Sequence, residues 1–181
     1  MTEDKFLELV HEHKARIYQH TLYLLGNRED AEDITQETFI TAWKHRNKLR
    51  PKTARSWLLK CAQNLCFNLL KRDKFQVHLT GGDDAYPETK LETLMHTHSG
   101  RSNPSPDEIV IQQELKDSVQ YAIKKLPPEM RSVIIMRELN GMSFKEISDV
   151  LEQPEGTVKS TAFRARKRLR ELLRPYWRNE E

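Results

Sequence analysis

Lys159, Ser160, Phe163, Arg164, Lys167 and Arg170 fall on one side of a helix at 100° per residue, in a stretch that contains no acid. Cations in such a row neutralise phosphates, and a guanidinium can also make paired hydrogen bonds to a base edge. Phe163 is the informative member. A ring among cations does nothing for solubility, whereas it suits a thymine methyl or an apolar partner surface. The competing reading, a solvated basic face on an ordinary bundle, leaves the ring unexplained.

The elements that hold this face can be read from their caps and periods. Ser143 and Glu146 stand three apart ahead of an apolar pattern, which is a capping box and starts a helix. That helix carries Phe144, Ile147, Val150 and Leu151 on one side and stops at Gln153-Pro154, because Pro154 moves the residue before it out of helical angles. A second helix, from about Glu155 to Leu173, turns Val158, Ala162, Ala165, Leu169 and Leu172 inward as a narrow stripe opposite the cations. Two short amphipathic helices joined by a tight turn, the second basic on its outer face, make a helix-turn-helix suited to a major groove.

Two further faces lie upstream. A helix from about Asp4 to Leu25 carries Phe6, Leu9, Val10, Ile17, Thr21, Leu24 and Leu25 at helical spacing and ends at Gly26-Asn27. Of its histidines only His13 falls near that stripe, and His11, His13 and His20 are all expected at the surface or its boundary. Asn27 caps the next helix, which buries Ala31, Ile34, Thr38, Phe39 and Ala42. Its other side gathers Asp33, Gln36, Ile40 and Trp43, with Glu37 at the edge. Spacing alone allows two readings of that side: a helix buried on both flanks, or a docking face for a basic, apolar partner helix.

A basic loop, Arg46 to Lys52 with Lys48, Arg50 and Lys52, precedes a helix from about Thr53 to Lys71. Leu58, Ala62, Leu65 and Leu69 form its core side, with Trp57, Lys60, Asn64, Asn68 and Lys71 opposite. A ring, amides and ammonium groups on one face fit single-stranded nucleic acid, whose bases stack and whose phosphates meet cations. Singly, Trp57 reads as a core residue and Asn64 as a solvated amide. From about Phe75 to Asn103 periodicity fails between Gly81-Gly82 and Pro104, as in a linker. His96 and His98 there are too few for a metal site. Ser105 and Glu108 cap a further helix to Lys125, and the helix after Pro127-Pro128 ends at Asn140-Gly141.

The whole-chain quantities bound the class. With 181 residues, 37% hydrophobic and 31% charged, the chain is globular and long enough for two domains; its net charge of +3 is only mildly basic, so the placement of charge matters more than its sum. Cys61 and Cys66 are too few for a disulfide framework and read as buried reduced thiols. The N-terminus has no signal-like pattern and no run is long enough to span a membrane, so no membrane insertion is expected and the cytoplasm is the expected compartment. No nucleophile with a paired base, phosphate-binding glycine loop or ligand set appears, so neither catalysis, a cofactor nor a metal is expected.

Three blocks carry a family resemblance. DAEDITQETFITAW (residues 30–43) resembles the polymerase-binding segment of bacterial sigma factors of the extracytoplasmic-function (ECF) type. ARSWLLKCAQNLCFNLLKR (54–72) is similar to their helix for the minus-ten promoter element, and residues 126–172 to the domain that reads the minus-thirty-five element. The resemblance implies an all-α protein of two helical domains joined by a flexible linker: 1–74, the linker 75–104, and 105–181 with the helix-turn-helix. Its expected partners are core RNA polymerase, promoter DNA as duplex and melted non-template strand, and an anti-sigma protein.

By position the resemblance assigns Asp33, Gln36, Glu37, Ile40 and Trp43 to polymerase. The minus-ten element takes Lys48, Arg50, Lys52, Trp57, Lys60, Asn64 and Asn68, and the minus-thirty-five element Thr157, Lys159, Ser160, Phe163, Arg164, Lys167 and Arg170. Thr161, where the family often has arginine, and Cys61 and Cys66 on the melting helix depart from the usual pattern. A helix-turn-helix regulator acting without polymerase would leave the α-helical faces at 30–43 and 54–72 idle.

Overall fold

The computed structural model describes residues 1–80 and 116–177. Among them there is no strand. Three helices form the N-terminal unit: α1 (Glu3–Leu25), α2 (Arg28–Lys44) and α3 (Pro51–Thr80). The C-terminal unit comprises α4 (helical at 116–124), α5 (Pro128–Ile134, continuing as a π turn over Ile135–Leu139), α6 (Phe144–Leu151) and α7 (Glu155–Trp177). Residues 81–115, with most of the expected linker, His96, His98 and the Ser105–Glu108 cap, lie outside the described residues.

The N-terminal unit is laid down by local signals. Gly26, at φ 72°, ends α1 by returning its N–H to the Leu22 carbonyl, and the Asn27 side chain then accepts from the Glu29 N–H to start α2. The reversal brings two buried threonines together. The Thr35 hydroxyl donates to the Ala31 carbonyl at 2.6 Å and accepts from the Thr21 hydroxyl at 3.1 Å, which ties α1 to α2 without leaving a hydroxyl unpaired in apolar surroundings. α3 continues past the expected end at Lys71 into the stretch read as linker. Its apolar period stops at Leu69, but nothing between Arg72 and Thr80 breaks a helix, and the first glycines are Gly81-Gly82.

The two units share one core. Phe6, Leu9, Ile17, Leu58, Leu59 and Ala62 from the first cluster with Val133, Met136, Met142, Ile147, Val150 and Val158 from the second. A smaller cluster joins Leu24, Ile34 and Cys66 to Ile123 and Ile135. This packing rotates the buried side of α3 away from the one expected: Leu65 and Leu69 are only partly buried, whereas Leu59, Gln63 and Cys66 are fully enclosed. Burial pushes the Cys66 thiol well up and the Cys61 thiol up to a lesser extent, and both cysteines are free.

α5 is buried at every position from Arg131 to Met136. Such a helix needs neighbours all round, and it has them in α1 and α7. Arg131 donates to the Leu24 carbonyl near the end of α1 (2.6 Å) and to the carbonyls of Lys124 and Leu126 (2.5 and 3.1 Å).

Two of the three histidines expected at the surface are not there: His13 is buried on the α1 stripe, and His20 is completely buried. The position of His20 continues Phe6, Leu9, His13, Ile17 and Leu24 at intervals of three and four, so it belongs to the stripe. Its Nε2 pairs with Gln63 Oε1 at 3.0 Å, and Asn140 Nδ2 donates to its Nδ1 at 3.1 Å. That pattern requires the neutral ring with its proton on Nε2. Burial outweighs the Gln63 bond and brings the His20 pKa down to about 4.

The consequence is a pH dependence of stability with a definite sign. The folded pKa lies below the unfolded value near 6.5, so the unfolded chain binds more protons as pH falls through this window. The stabilisation is complete above pH 6.5 and declines towards pH 4, by roughly 3 kcal/mol for this one group. Denaturant titrations of the full chain at pH 7 and 4.5 should show the loss, and His20→Gln should remove most of it. An equal decline in both proteins would assign it to other groups.

Candidate nucleic-acid interface

The helix-turn-helix is built as its caps require. Ser143 Oγ accepts from the Glu146 N–H at 3.2 Å, and Glu146 Oε2 accepts from the Ser143 N–H and hydroxyl at 2.7 and 2.8 Å. Those two donors hold the Glu146 carboxyl below its ordinary pKa. α6 buries Ile147 and Val150 and ends at Glu152, whose φ of 54° turns the chain; Ser148 Oγ donates to the Gln153 carbonyl across the turn. α7 then buries Val158, Thr161, Ala162, Ala165 and Leu173. It extends beyond the expected end at Leu173 to Trp177, with Pro175 inside it.

Thr157, Lys159, Ser160, Phe163, Arg164, Lys167 and Arg170 are all exposed along α7. Phe163 presents 66% of its surface to solvent, which makes the ring a free contact group. Three of the polar groups are already oriented: Lys159 pairs with Glu155 at 2.7 Å, Ser160 donates to the Thr157 carbonyl, and Arg164 donates to Thr161 Oγ1 at 3.4 Å. Arg166, missed by the sequence reading, pairs with Glu138 at 2.6 Å and braces α7 against the end of the π turn. Arg137 lies over the Phe144 ring at 4.7 Å and donates to the Met142 carbonyl, bracing α6 in the same way.

On α3 and the preceding loop, Lys48, Arg50, Lys52, Asn64 and Asn68 are exposed, while Trp57 and Lys60 are only partly so. The Trp57 ring packs against the shared core and tilts towards His45 with centroids 5.8 Å apart. Lys60 Nζ donates to Glu152 Oε1 at 2.8 Å, which joins the middle of α3 to the turn of the helix-turn-helix and lowers the Glu152 pKa. Position in the sequence gives no signal for that pair, since ninety-two residues separate its members.

On α2, Asp33, Gln36, Glu37 and Ile40 are exposed, Ile40 to 54%. Trp43 is not open in the way its spacing implied. It meets Phe6 edge-on at 4.9 Å between centroids, and the Arg46 guanidinium covers its ring at 4.1 Å. A large ring at a helix end is drawn onto the nearest apolar neighbour, so the free apolar group of this face is Ile40. Among the described residues no group of three or more His, Cys, Asp or Glu side chains could hold a metal ion, and no helix is long and apolar enough to cross a membrane.

Comparisons with known proteins fit this geometry. The family description Sigma-70 region 2 matches residues 9–76, and Sigma-70, region 4 matches residues 116–169. The chain is 32% identical over 173 residues to the ECF RNA polymerase sigma factor SigW of Bacillus subtilis, covering 95% of this chain and 90% of the relative. It is 32% identical over 166 residues to ECF sigma factor SigE of Mycolicibacterium smegmatis, covering 92% of this chain and 60% of that longer relative. The fold resembles that of RpoE from Bartonella quintana, solved with the anti-sigma factor NepR, at TM-score 0.72 and 20% identity over 94% of this chain and 97% of that one. It also resembles CnrH, solved with the cytosolic domain of CnrY, at TM-score 0.64 and 22% identity over 96% and 90% of the two chains.

The capping box makes the orientation of α6 testable. Ser143→Ala leaves one backbone N–H without its cap and should cost about 1 kcal/mol, a fall in Tm of about 2 to 4 °C for a chain of this size. Glu146→Gln keeps an acceptor at the same place and should cost less. Equal Tm values for Ser143→Ala and the parent protein would show that α6 is positioned without the cap.

Proposed function

The chain belongs to the ECF RNA polymerase sigma factors, and on that premise we propose how its three faces divide the work of promoter-specific initiation. Asp33, Gln36, Glu37 and Ile40, with Trp43 at the edge, dock on a basic, partly apolar helix of core RNA polymerase. The loop cations Lys48, Arg50 and Lys52, with Trp57, Lys60, Asn64 and Asn68, hold the melted non-template strand of the minus-ten element. Thr157, Lys159, Ser160, Phe163, Arg164, Lys167 and Arg170 enter the major groove of the minus-thirty-five element. The N-terminal unit, extended by α3 to Thr80 rather than ending at residue 74, and residues 105–181 act as the two promoter-reading domains on either side of the linker that follows α3, in the cytoplasm, without catalysis by this chain. An anti-sigma protein is the silencing partner, in keeping with the similar RpoE of Bartonella quintana, which was solved in complex with the anti-sigma factor NepR.

The observation that carries this reading is the exposed Phe163 among cations on α7, braced by Arg166–Glu138 behind the capped α6, in the same chain as an acidic face with an open Ile40 on α2. A regulator working on duplex DNA alone needs only the first of these. The second provides charge complementarity to a basic partner, which steers association and fixes register.

Asp33→Arg places a cation where the partner surface is basic and should weaken binding to core polymerase by at least tenfold without loss of helicity. Unchanged affinity for core enzyme would remove the docking assignment. On α7 two arginines should fail differently. Arg164 lies in the N-terminal half that reaches base edges, so Arg164→Ala should cost about 1 to 3 kcal/mol at the preferred upstream element and flatten discrimination among altered elements. Arg170 lies further along, so Arg170→Ala should weaken all sequences alike and reduce the salt slope by about one phosphate. Holoenzyme binding to a panel of single-base upstream substitutions at two salt concentrations separates the two outcomes. A uniform loss for Arg164→Ala would place that side chain on the backbone instead.

A further inference from the structure

Glu155 stands in the first turn of α7, beside the side chains assigned to the major groove but opposite to them in charge. Its carboxylate lies 2.7 Å from the Lys159 ammonium, and both side chains are open to solvent, at 44% and 56%. The same ammonium is 6.0 Å from the centroid of the Phe144 ring, on which the Arg137 guanidinium rests at 4.7 Å. Two contacts thus hold Lys159 at the N-terminal end of the helix, the end that reaches base edges. Glu155, Lys159 and Phe163 follow at intervals of four, so an acceptor, a donor and a ring form one row.

Helix stability accounts for only part of this. An acid in the first turn suits the helix dipole, and an exposed ion pair contributes little. In a groove walled by phosphates, however, a carboxylate is repelled unless a donor on the bases receives it.

The spacing of the pair meets that need. Every base pair shows in the major groove one keto oxygen and one amine, O6 of guanine beside N4 of cytosine or O4 of thymine beside N6 of adenine. These two atoms are hydrogen-bonded to each other, so they stand about 2.9 Å apart. A donor and an acceptor 2.7 Å apart on the protein match them two for two: the ammonium donates to the keto oxygen and the carboxylate accepts from the amine. When the base pair is reversed, a lysine alone could move to the purine N7, but the carboxylate then faces an oxygen and has nothing to accept.

We propose that Glu155 is a specificity-determining residue of the minus-thirty-five face: with Lys159 it reads the orientation of one base pair, the keto base towards Lys159 and the amino base towards Glu155. The proposal rests on the sigma-factor reading and gives the face a discriminating acid as well as its cations. Lys159 supplies attraction, and Glu155 rejects the reversed pair.

Holoenzyme binding to full promoter duplexes tests it. The duplex is one recovered by the holoenzyme from a randomised library and labelled with a fluorophore, and each position of its upstream element is set in turn to all four base pairs. The parent should show a position at which G·C and T·A, written keto base first, bind about tenfold more tightly than C·G and A·T. There, replacing the facing cytosine by 2-pyrimidinone or the facing adenine by purine removes only the amine and should cost about fivefold. In Glu155→Ala the same replacements should make no difference. Glu155→Gln keeps the shape of the side chain, but its amide can donate as well as accept, so the tenfold preference should fall to about twofold through tighter binding of the reversed pairs. A role confined to helix stability predicts a lower Tm for Glu155→Ala and an unchanged preference at every position. That result, the lack of any such position in the parent, or an amine deletion that costs as much in Glu155→Ala as in the parent, would overturn the proposal. A parent holoenzyme that binds no member of the library more tightly than core enzyme alone would defeat the sigma-factor reading itself, and the proposal with it.

Discussion

A buried guanidinium sets the arrangement of this molecule. Arg131 is 2% exposed, and burying its charge is tolerable only because carbonyls at the ends of two other helices accept from it. Those carbonyls carry the negative ends of the α1 and α4 dipoles, so the site suits a cation and little else. With Arg131 fixed there, α5 has no freedom to slide. Ile135 is then placed beside Leu24 and Ile34, and Ile134 joins Leu126 and Ala165 on the other side. The position of α7, and with it the direction of its basic face, follows from this buried contact.

The same constraint explains the division between free and engaged faces. α5 can be enclosed all round only if the N-terminal unit packs on one side of it and α7 on the other, which turns α6 towards α3. The outward side of α7 is left in solvent by this packing, whereas Trp57 and Lys60 on α3 are partly covered. The interface between the two units is where His20 and Arg131 are buried.

Much of this was legible in the sequence, for physical reasons that can be named. The capping box at Ser143 and Glu146, the Asn27 cap and the Val158–Ala162–Ala165 stripe are local signals, so α2, α6 and the recognition face of α7 stand where spacing puts them. His20 lies in the α1 stripe between Ile17 and Leu24, but the partners that let an imidazole be enclosed there, Gln63 and Asn140, are remote in sequence. Trp43 was thought open because spacing gives the face of a residue but not the neighbour, Phe6, that draws it in. The enclosed Gln63 and Cys66, the Arg131 contacts and the Lys60–Glu152 pair are long-range, and no period within a helix can announce a partner on the other unit. The π turn at Ile135–Leu139 is likewise set by packing, with the Asn140 N–H reaching back to the Ile135 carbonyl.

The central claim is that this chain confers promoter specificity on a polymerase that lacks it. Run-off transcription from a randomised promoter library, using purified core RNA polymerase with and without the chain, tests it most directly. The account predicts transcripts from discrete start sites that appear only with the chain, and templates enriched for two sequence blocks at a fixed spacing. Transcripts no more frequent or more selective than those of core enzyme alone would contradict it.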